Sequence, residues 1–480
     1  MSGTMKLKEV FDVVVVGGGL TGYTAGILLV KNGLRAAVVE GFPWEWWLEA
    51  ESASPTFFNF SGGLLYGVPG YQPLTSLLVK LGFPLTTPSG HGPVLLKTVE
   101  PALQVIMPRH RINLYPGRDE QLRELQREFS KCGDLFPKLY EQAWLQQEAV
   151  RTSYLRRRSV RPRKKMDPSP VFNRLSALWS AWFKGQNQPA HRLLTGMGAG
   201  GEAMDFLELL LFAVARRRLG EMNAEEVYHY LKLAAEPACL NDMGQVGIYW
   251  GLKSLFRRHG GVVYQAGSRL DANVQKKGEV TLRVGSQHHL NGRWIVVDVP
   301  EGETEKLLGR KILPGKIQEH VRPAAHLTFL VPKETIPVGM GRQLVIGDRL
   351  GGKPLILTLS PGEGERLSLE ALAPLPGKTP VNDTEVLTND VLGKIREVVR
   401  FLPEDIPPPE VRFGFSPSGH GRHSLLKGIQ GPDLMGESIG WSRYGSFLVV
   451  GQGDYIGSPL NDVLMLGQKM AAWIVNRGRI

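Results

Sequence analysis

The residues best placed to do chemistry are glycines. Gly17, Gly19 and Gly22 stand in GGGLTG, directly after the apolar run FDVVVV and ahead of YTAGILLVKNG. A glycine at the first position permits a tight turn out of a strand. At the second, a missing Cβ lets an anion reach bare backbone. At the third, it lets the following helix pack close to the strand. That helix opens at Leu20 and Thr21 and presents unpaired N–H groups and the positive end of its dipole. The chemistry this implies is the holding of a diphosphate. Arg35–Val39 reads as the next strand and ends on Glu40. An acid about 20 residues beyond such a turn can accept hydrogen bonds from ribose hydroxyls. It also disfavours a 2′-phosphate, which argues against NADP.

Other reactive side chains are sparse. His420 and His423, in PSGHGRH, could supply a proton or touch substrate, or could be loop histidines. Tyr455 follows Asp454 in GQGDYIGSP, a Gly-rich turn that includes Gly451, Gly453 and Gly457. No Ser/His/Asp arrangement, metal-ligand spacing or phosphate-binding loop with a lysine is visible, so hydrolase and kinase chemistry have no support. Cys132 and Cys239 are far apart, with no CxxC, which argues against a zinc site or redox dithiol and fits a reducing compartment.

The bulk numbers are those of a globular protein of two or three structural units: 480 residues, 42% hydrophobic and 21% charged. Lys+Arg is 57 and Asp+Glu is 46, a net charge of +11. Part of the excess lies in RTSYLRRRSVRPRKK, which has no acid. In the following PVFNRLSALWSAWFKG, Leu175, Leu178, Trp179, Trp182 and Phe183 share one helical face. Aromatic residues beside basic ones suit a helix lying on a membrane surface, and equally one docked on its own domain. No nucleic-acid-binding module accompanies the charge, so nucleic acid is not expected as a partner. The longest apolar run, Phe206–Ala215, falls short of the ~18 residues of a span. No signal peptide is visible at MSGTMKLKEV. The expectation is a cytoplasmic protein, with peripheral membrane contact through 151–185 as an option.

The remaining elements frame the glycine turn. Residues 93–116 read as short strands, and a helical pattern starts at Arg118. Gly244–His259 reads as a helix, followed by a run of strands with turns at Gly278 and Gly292. Trp294–Val297 reads as a buried parallel strand. Residues 322–361 hold strands. Residues 362–409 are Pro-rich and polar with one helix near Asn389–Phe401. The chain closes on a strand at Ser446–Val450 and a helix at Leu460–Val475, behind Pro459. Trp44, Trp46 and Trp47 read as a packed loop or as a substrate wall.

The glycine series, continued by Gly26 and Gly33, resembles the FAD-binding fold of glutathione-reductase-like flavoproteins. The wider layout resembles the phytoene desaturase-like branch of the FAD-dependent oxidoreductases, which includes carotenoid desaturases and retinol saturase and is related to the amine oxidases. The stretches that carry the resemblance are DVVVVGGGLTGYTAGILLVKNGLRAAVVE, LQVIMPRHRINLYPGRDEQLRELQREF, GIYWGLKSLFRRHGGVVYQAGSRLDANVQ and FLVVGQGDYIGSPLNDVLMLGQKMAAWIV.

The resemblance implies an α/β protein with an FAD-binding Rossmann-like domain from 1–75, 225–310 and 430–480. An inserted α+β substrate domain would take 76–224 and 311–429, with a helical insert at about 118–220 that could face a membrane. It implies FAD as cofactor. Gly17, Gly19, Leu20, Thr21 and Gly22 would hold the diphosphate and Glu40 the AMP ribose. Gly451, Gly453 and Asp454 would lie near the ribityl-phosphate, and Gly457 to Asn461 would face the isoalloxazine. The implied chemistry is hydride exchange with flavin N5 that saturates or desaturates a C–C bond of an apolar isoprenoid. The family's GGR-type motif after the ribose acid is absent here, where the chain reads GFPWEWWLEAESASPTFFNFSGG. That departure keeps two other expectations open: an amine-oxidase-like flavoenzyme with a soluble substrate, and a non-catalytic protein on the flavin fold.

Overall fold

A computed structural model describes residues 7–40, 64–66, 72–82, 96–145, 188–215, 218–241, 244–266, 270–274, 280–285, 288–298, 322–347, 354–361, 364–374, 384–416, 441–444, 447–450 and 460–478. It is a mixed α/β fold built on two large sheets.

The first sheet grows from the valine run. Strand β1 (Leu7–Val16) lies between β2 (Ala36–Glu40) and β11 (His288–Val297), both parallel to it. Strands β8 (Val262–Gln265) and β18 (Phe447–Val450) extend the parallel set, in the order β18-β11-β1-β2-β8. A continuous apolar run suits a strand buried on both faces. Val13 and Val15 enter one core, Val14 and Val16 the other. The chain's late residues thus complete the sheet begun by its first.

Strands β9 (Leu270–Val274) and β10 (Val280–Val284) form an antiparallel arm on β11, and β17 (Trp441–Tyr444) pairs antiparallel with β18. Gly292 is not a turn, contrary to the expectation: it sits inside β11 opposite Phe11. A Cβ there would lie 2.7 Å from Ile295 Cδ1. Gly292 is the last β11 residue paired with β10, and pairing with β18 starts at Ile295. Glycine inside a strand commonly marks a close approach of this kind.

Helices α1 (Leu20–Lys31), α2 (Gln72–Leu81), α8 (Gly244–Arg258) and α10 (Leu460–Gly478) contribute to one apolar core on the sheet. Gly26 and Gly467 let them approach α1. A Cβ at Gly26 would meet the Phe256 ring at 2.9 Å, and one at Gly467 the Thr21 carbonyl oxygen at 2.6 Å.

The second sheet has the order β16-β12-β15-β14-β13-β5-β6. Its strands are β5 (Leu103–Ile106), β6 (Arg111–Leu114), β12 (Arg322–Pro332), β13 (Gln343–Ile346), β14 (Leu355–Pro361), β15 (Arg366–Pro374) and β16 (Glu410–Ser416). Neighbours are antiparallel except β13 and β5. Strand β15 corrects the reading of 362–409 as polar with one helix. RLSLEALAP alternates, but polar and apolar residues alike are buried, because both faces of the sheet are covered.

Helix α9 (Thr384–Val398) packs on one face. Helices α3 (Arg118–Glu128), α4 (135–145), α5 (Ala190–Gly196), α6 (Gly201–Ala215) and α7 (Ala224–Ala235) build a further apolar core. That core takes the long apolar run Phe206–Ala215. A small sheet of β3 (Leu64–Tyr66), β7 (Ala238–Asn241) and β4 (Leu96–Val99) completes the described strands. Among the described residues no helix is long and apolar enough to cross a membrane.

Candidate dinucleotide site

The glycine turn lies at the C-terminal end of β1. Gly17 has φ +105°, a backbone state that favours glycine, and its N–H donates to Val39 O at 2.8 Å. Gly19 is the extended N-cap of α1, and no side chain caps the helix there. Its carbonyl accepts the first helical bond, from Tyr23 N at 3.0 Å. No Asp or Glu stands in the first turn of α1.

Two carboxylates reach this turn from elsewhere. Asp298, directly after β11, accepts from Gly22 N at 2.9 Å, and its own N–H donates to Val16 O at 2.7 Å. It supplies negative charge at the positive end of α1. A Cβ on Gly22 would lie 2.9 Å from both Asp298 Oδ2 and Val15 Cγ1. The other carboxylate is Glu40, against which Gly18 packs: a Cβ there would lie 2.9 Å from Glu40 Cβ. Residues 17–22 are all buried.

Glu40 is 2% exposed and carries four donors. Its Oε2 accepts from Tyr23 OH at 2.5 Å and from Tyr249 OH at 2.9 Å. Its Oε1 accepts from Gln265 Nε2 at 2.8 Å and pairs with Lys253 Nζ at 2.5 Å. Burial works to raise the Glu40 carboxyl. The Lys253 ammonium and the two phenols outweigh it and hold the group below the ordinary carboxylate range. The Tyr23 hydroxyl is pushed far up by burial and by its acidic neighbours, so it stays protonated and donates. Tyr249 and Lys253 stand one helical turn apart on α8 and so reach the same point.

Most other expected site residues lie outside the described residues: His420, His423, Gly451, Gly453, Asp454, Tyr455 and Gly457, and also Trp44, Trp46, Trp47 and the 151–185 segment. Asn461 falls in α10, with its side chain outside the description.

A second group was not legible beforehand. On one face of the second sheet, Leu327, Leu344, Leu357, Leu359, Leu369 and Ala371 pack with α9. Strand alternation places His326, Gln343, Thr358, Ser360, Ser368 and Glu370 on the opposite face. All six are 8% exposed or less, His326 and Glu370 each 2%. His326 Nε2 lies 3.8 Å from Glu370 Oε2, and Gln343 Oε1 accepts from Tyr66 OH of β3. Gln343 Nε2 and Ser368 Oγ have no partner among the described residues. Buried polar groups are normally satisfied, so such a face suits contact with polar ligand atoms or water. The available signal was the alternation in LILTLSP and RLSLEALAP, which reads as solvent-facing unless both faces are covered.

The turn, the parallel strands and the second sheet make a mixed α/β fold with a Rossmann-like parallel sheet, a fold shared with a putrescine oxidase. The likeness to solved structures runs the length of the chain. A putative protoporphyrinogen oxidase from Exiguobacterium sp. 255-15 is 14% identical, with TM-score 0.55 over 99% of this chain and 100% of that one. A putrescine oxidase variant redesigned in its cofactor binding is 13% identical, with TM-score 0.52 over 98% and 100%. The Rab GDI of Plasmodium falciparum is 11% identical, with TM-score 0.55 over 96% and 98%. At these identities the likeness is one of fold, shared by oxidoreductases and a GDI alike. No family model and no curated protein matches the chain.

FAD meets this site unequally. The Gly17–Gly19 turn fits a diphosphate, although at the N-terminus of α1 the Asp298 carboxylate already takes the Gly22 N–H. Glu40, with every acceptor position taken, does not fit a ribose diol.

Proposed function

We propose that the chain is an FAD-dependent oxidoreductase. The observation that carries this reading is the β1–Gly17–Gly19–α1 turn, in a fold shared along its whole length with oxidases. The backbone amides around Gly19 and Leu20 would hold the diphosphate, and Gly17 sets the turn that presents them. The flavin, when bound, supplies a two-electron acceptor. The chain's own contribution is position and polarity, and we take the polar positions on the second sheet's face opposite α9, which share that face with the core residues Val345, Ile356 and Leu372, as the candidate substrate contact. Its Gln343 amide, Ser368 hydroxyl and His326–Glu370 pair favour a polar, hydrogen-bonding substrate. The reading as an isoprenoid desaturase rests on the sequence resemblance, and the basic aromatic segment behind it lies outside the described residues.

A second reading is a binding protein without redox chemistry. The donors that fill Glu40 and the fold shared with a Rab GDI favour it.

Absorbance of the purified chain after incubation with FAD separates the two. A bound flavin that bleaches anaerobically with a polar donor such as a primary amine supports the first. No flavin uptake by the folded protein supports the second. Gly19→Val should abolish flavin uptake, because a side chain would enter the space of the diphosphate. Full uptake by that variant would move the cofactor elsewhere.

A further inference from the structure

The Glu40 carboxylate stands where a dinucleotide-binding acid would stand in sequence, yet its surroundings are those of a structural counter-ion. A carboxylate offers about four lone-pair positions. Here four donors occupy them: Tyr23 OH, Tyr249 OH, Gln265 Nε2 and Lys253 Nζ. These donors come from three elements. Tyr23 lies on α1, Tyr249 and Lys253 on α8, and Gln265 at the end of β8. Register puts Gln265 opposite Glu40 itself. The Glu40 carbonyl oxygen accepts from Ala266 N at 2.6 Å, so main chain and side chain are both fixed.

The packing around the cluster is equally closed. Tyr23 meets Tyr249 and Phe256 edge to face, with centroids 5.5 and 5.7 Å apart. The Lys253 ammonium lies 4.8 Å from the Trp250 ring centroid. Tyr23 is fully buried, Tyr249 2% exposed and Lys253 8% exposed.

We infer that Glu40 is the hub of an internal brace that ties α1 and β2 to α8 and β8, and that it does not read the ribose of a bound nucleotide. Ribose hydroxyls would need acceptors, and reaching Glu40 would displace a phenol, an amide or an ammonium from a buried carboxylate. Displacing one leaves a buried polar group unpaired, which opposes the exchange. The Lys253 charge also removes the net negative charge from which discrimination against a 2′-phosphate was expected. Affinity for an adenine dinucleotide then has to come from the glycine turn and the N-terminus of α1. The inference concerns the folded chain itself and holds whether or not FAD is its cofactor.

The test uses the full chain, with Glu40→Gln, Lys253→Met, the double variant, and Tyr249→Phe as a mild change that keeps the fold. Two quantities are read: the Tm of flavin-free protein, and the Kd for added FAD. A brace lowers Tm by about 3–5 °C in each charge variant, because each leaves a buried charge or acceptor unpaired. The double variant should lose less than the sum of the singles, and Tyr249→Phe should lose less than either. FAD affinity should stay within about threefold in Glu40→Gln, since a lost ribose acceptor would weaken binding about tenfold or more. A tenfold loss of FAD affinity in folded Glu40→Gln overturns the inference whatever the Tm. So does a Tm that none of the variants moves. If the wild-type chain takes up no FAD, the oxidoreductase proposal falls, and the brace stands or falls on the Tm cycle alone.

Discussion

His110 shows how neighbours can favour the charged form of a single side chain. It sits in the turn between β5 and β6, with Nδ1 2.9 Å from Glu128 Oε2 and Nε2 3.2 Å from Glu202 Oε2. Arg109 also pairs with Glu202, and Arg127 with Glu128. Desolvation pushes the imidazole down, but hydrogen bonds to Glu128 and Glu202 outweigh it and raise the pKa. The imidazole joins the second sheet to α3 and α6. A raised folded pKa contributes stability that is full below the ordinary histidine value of about 6.5 and is lost as pH rises through the folded value. Unfolding free energy should therefore fall above about pH 6.5, and His110→Gln should flatten that slope. Denaturant unfolding at a series of pH values reads both. A second single-residue expectation concerns Ser368, whose buried hydroxyl lacks a partner among the described residues. Ser368→Ala should leave Tm unchanged or raise it, while a hydroxyl needed for packing would show a loss.

Elements decide how far these residues could be read from sequence. The opening β1–α1–β2 unit was legible because three signals agree: a valine run, a glycine turn, and an apolar helix ending at Gly33. Strand β15 was not. Its Ser368 and Glu370 read as polar positions, and the proline-rich neighbourhood suggested irregular chain. Only the cover on both faces of the sheet explains why they are buried. Glu40 was legible as an acid at the end of a strand, whereas its occupancy was not. Tyr249 and Lys253 lie over 200 positions downstream, and nothing local says that α8 will dock there. Helix docking itself depends on small contacts. The carbonyl oxygen of Thr21 would lie 2.6 Å from a Cβ at Gly467, and backbone cannot swing aside. Gly467→Ala should therefore separate α10 from α1 at a cost of about 1–3 kcal/mol, read by urea unfolding.

At the scale of the molecule, two sheets carry two kinds of interior. The parallel sheet is sealed by apolar cores on both sides. The second sheet has one apolar face against α9, while its other face mixes buried polar residues over four adjacent strands with the core residues Val345, Ile356 and Leu372. A fourth core, under α6, takes the largest share of the buried aromatics among the described residues, with Phe129, Phe136 and Phe206 in mutual contact. Phe206→Ala should cost about 3–5 kcal/mol, measured by calorimetry or denaturant unfolding. An unchanged unfolding profile would show that this cluster is not part of the cooperative unit.

The seating of β18 beside β11, and of α10 on α1, has a consequence for the newborn polypeptide. Codons for Phe447–Val450 and Leu460–Gly478 are read long after the opening turn has left the ribosome. Until they emerge, Leu20 to Leu29 lack the part of their cover that α10 supplies, and the helix stays partly open to water. Nascent chains halted before residue 447 should accordingly be chaperone clients and be cut quickly by added protease, and release of the remaining segment should end both.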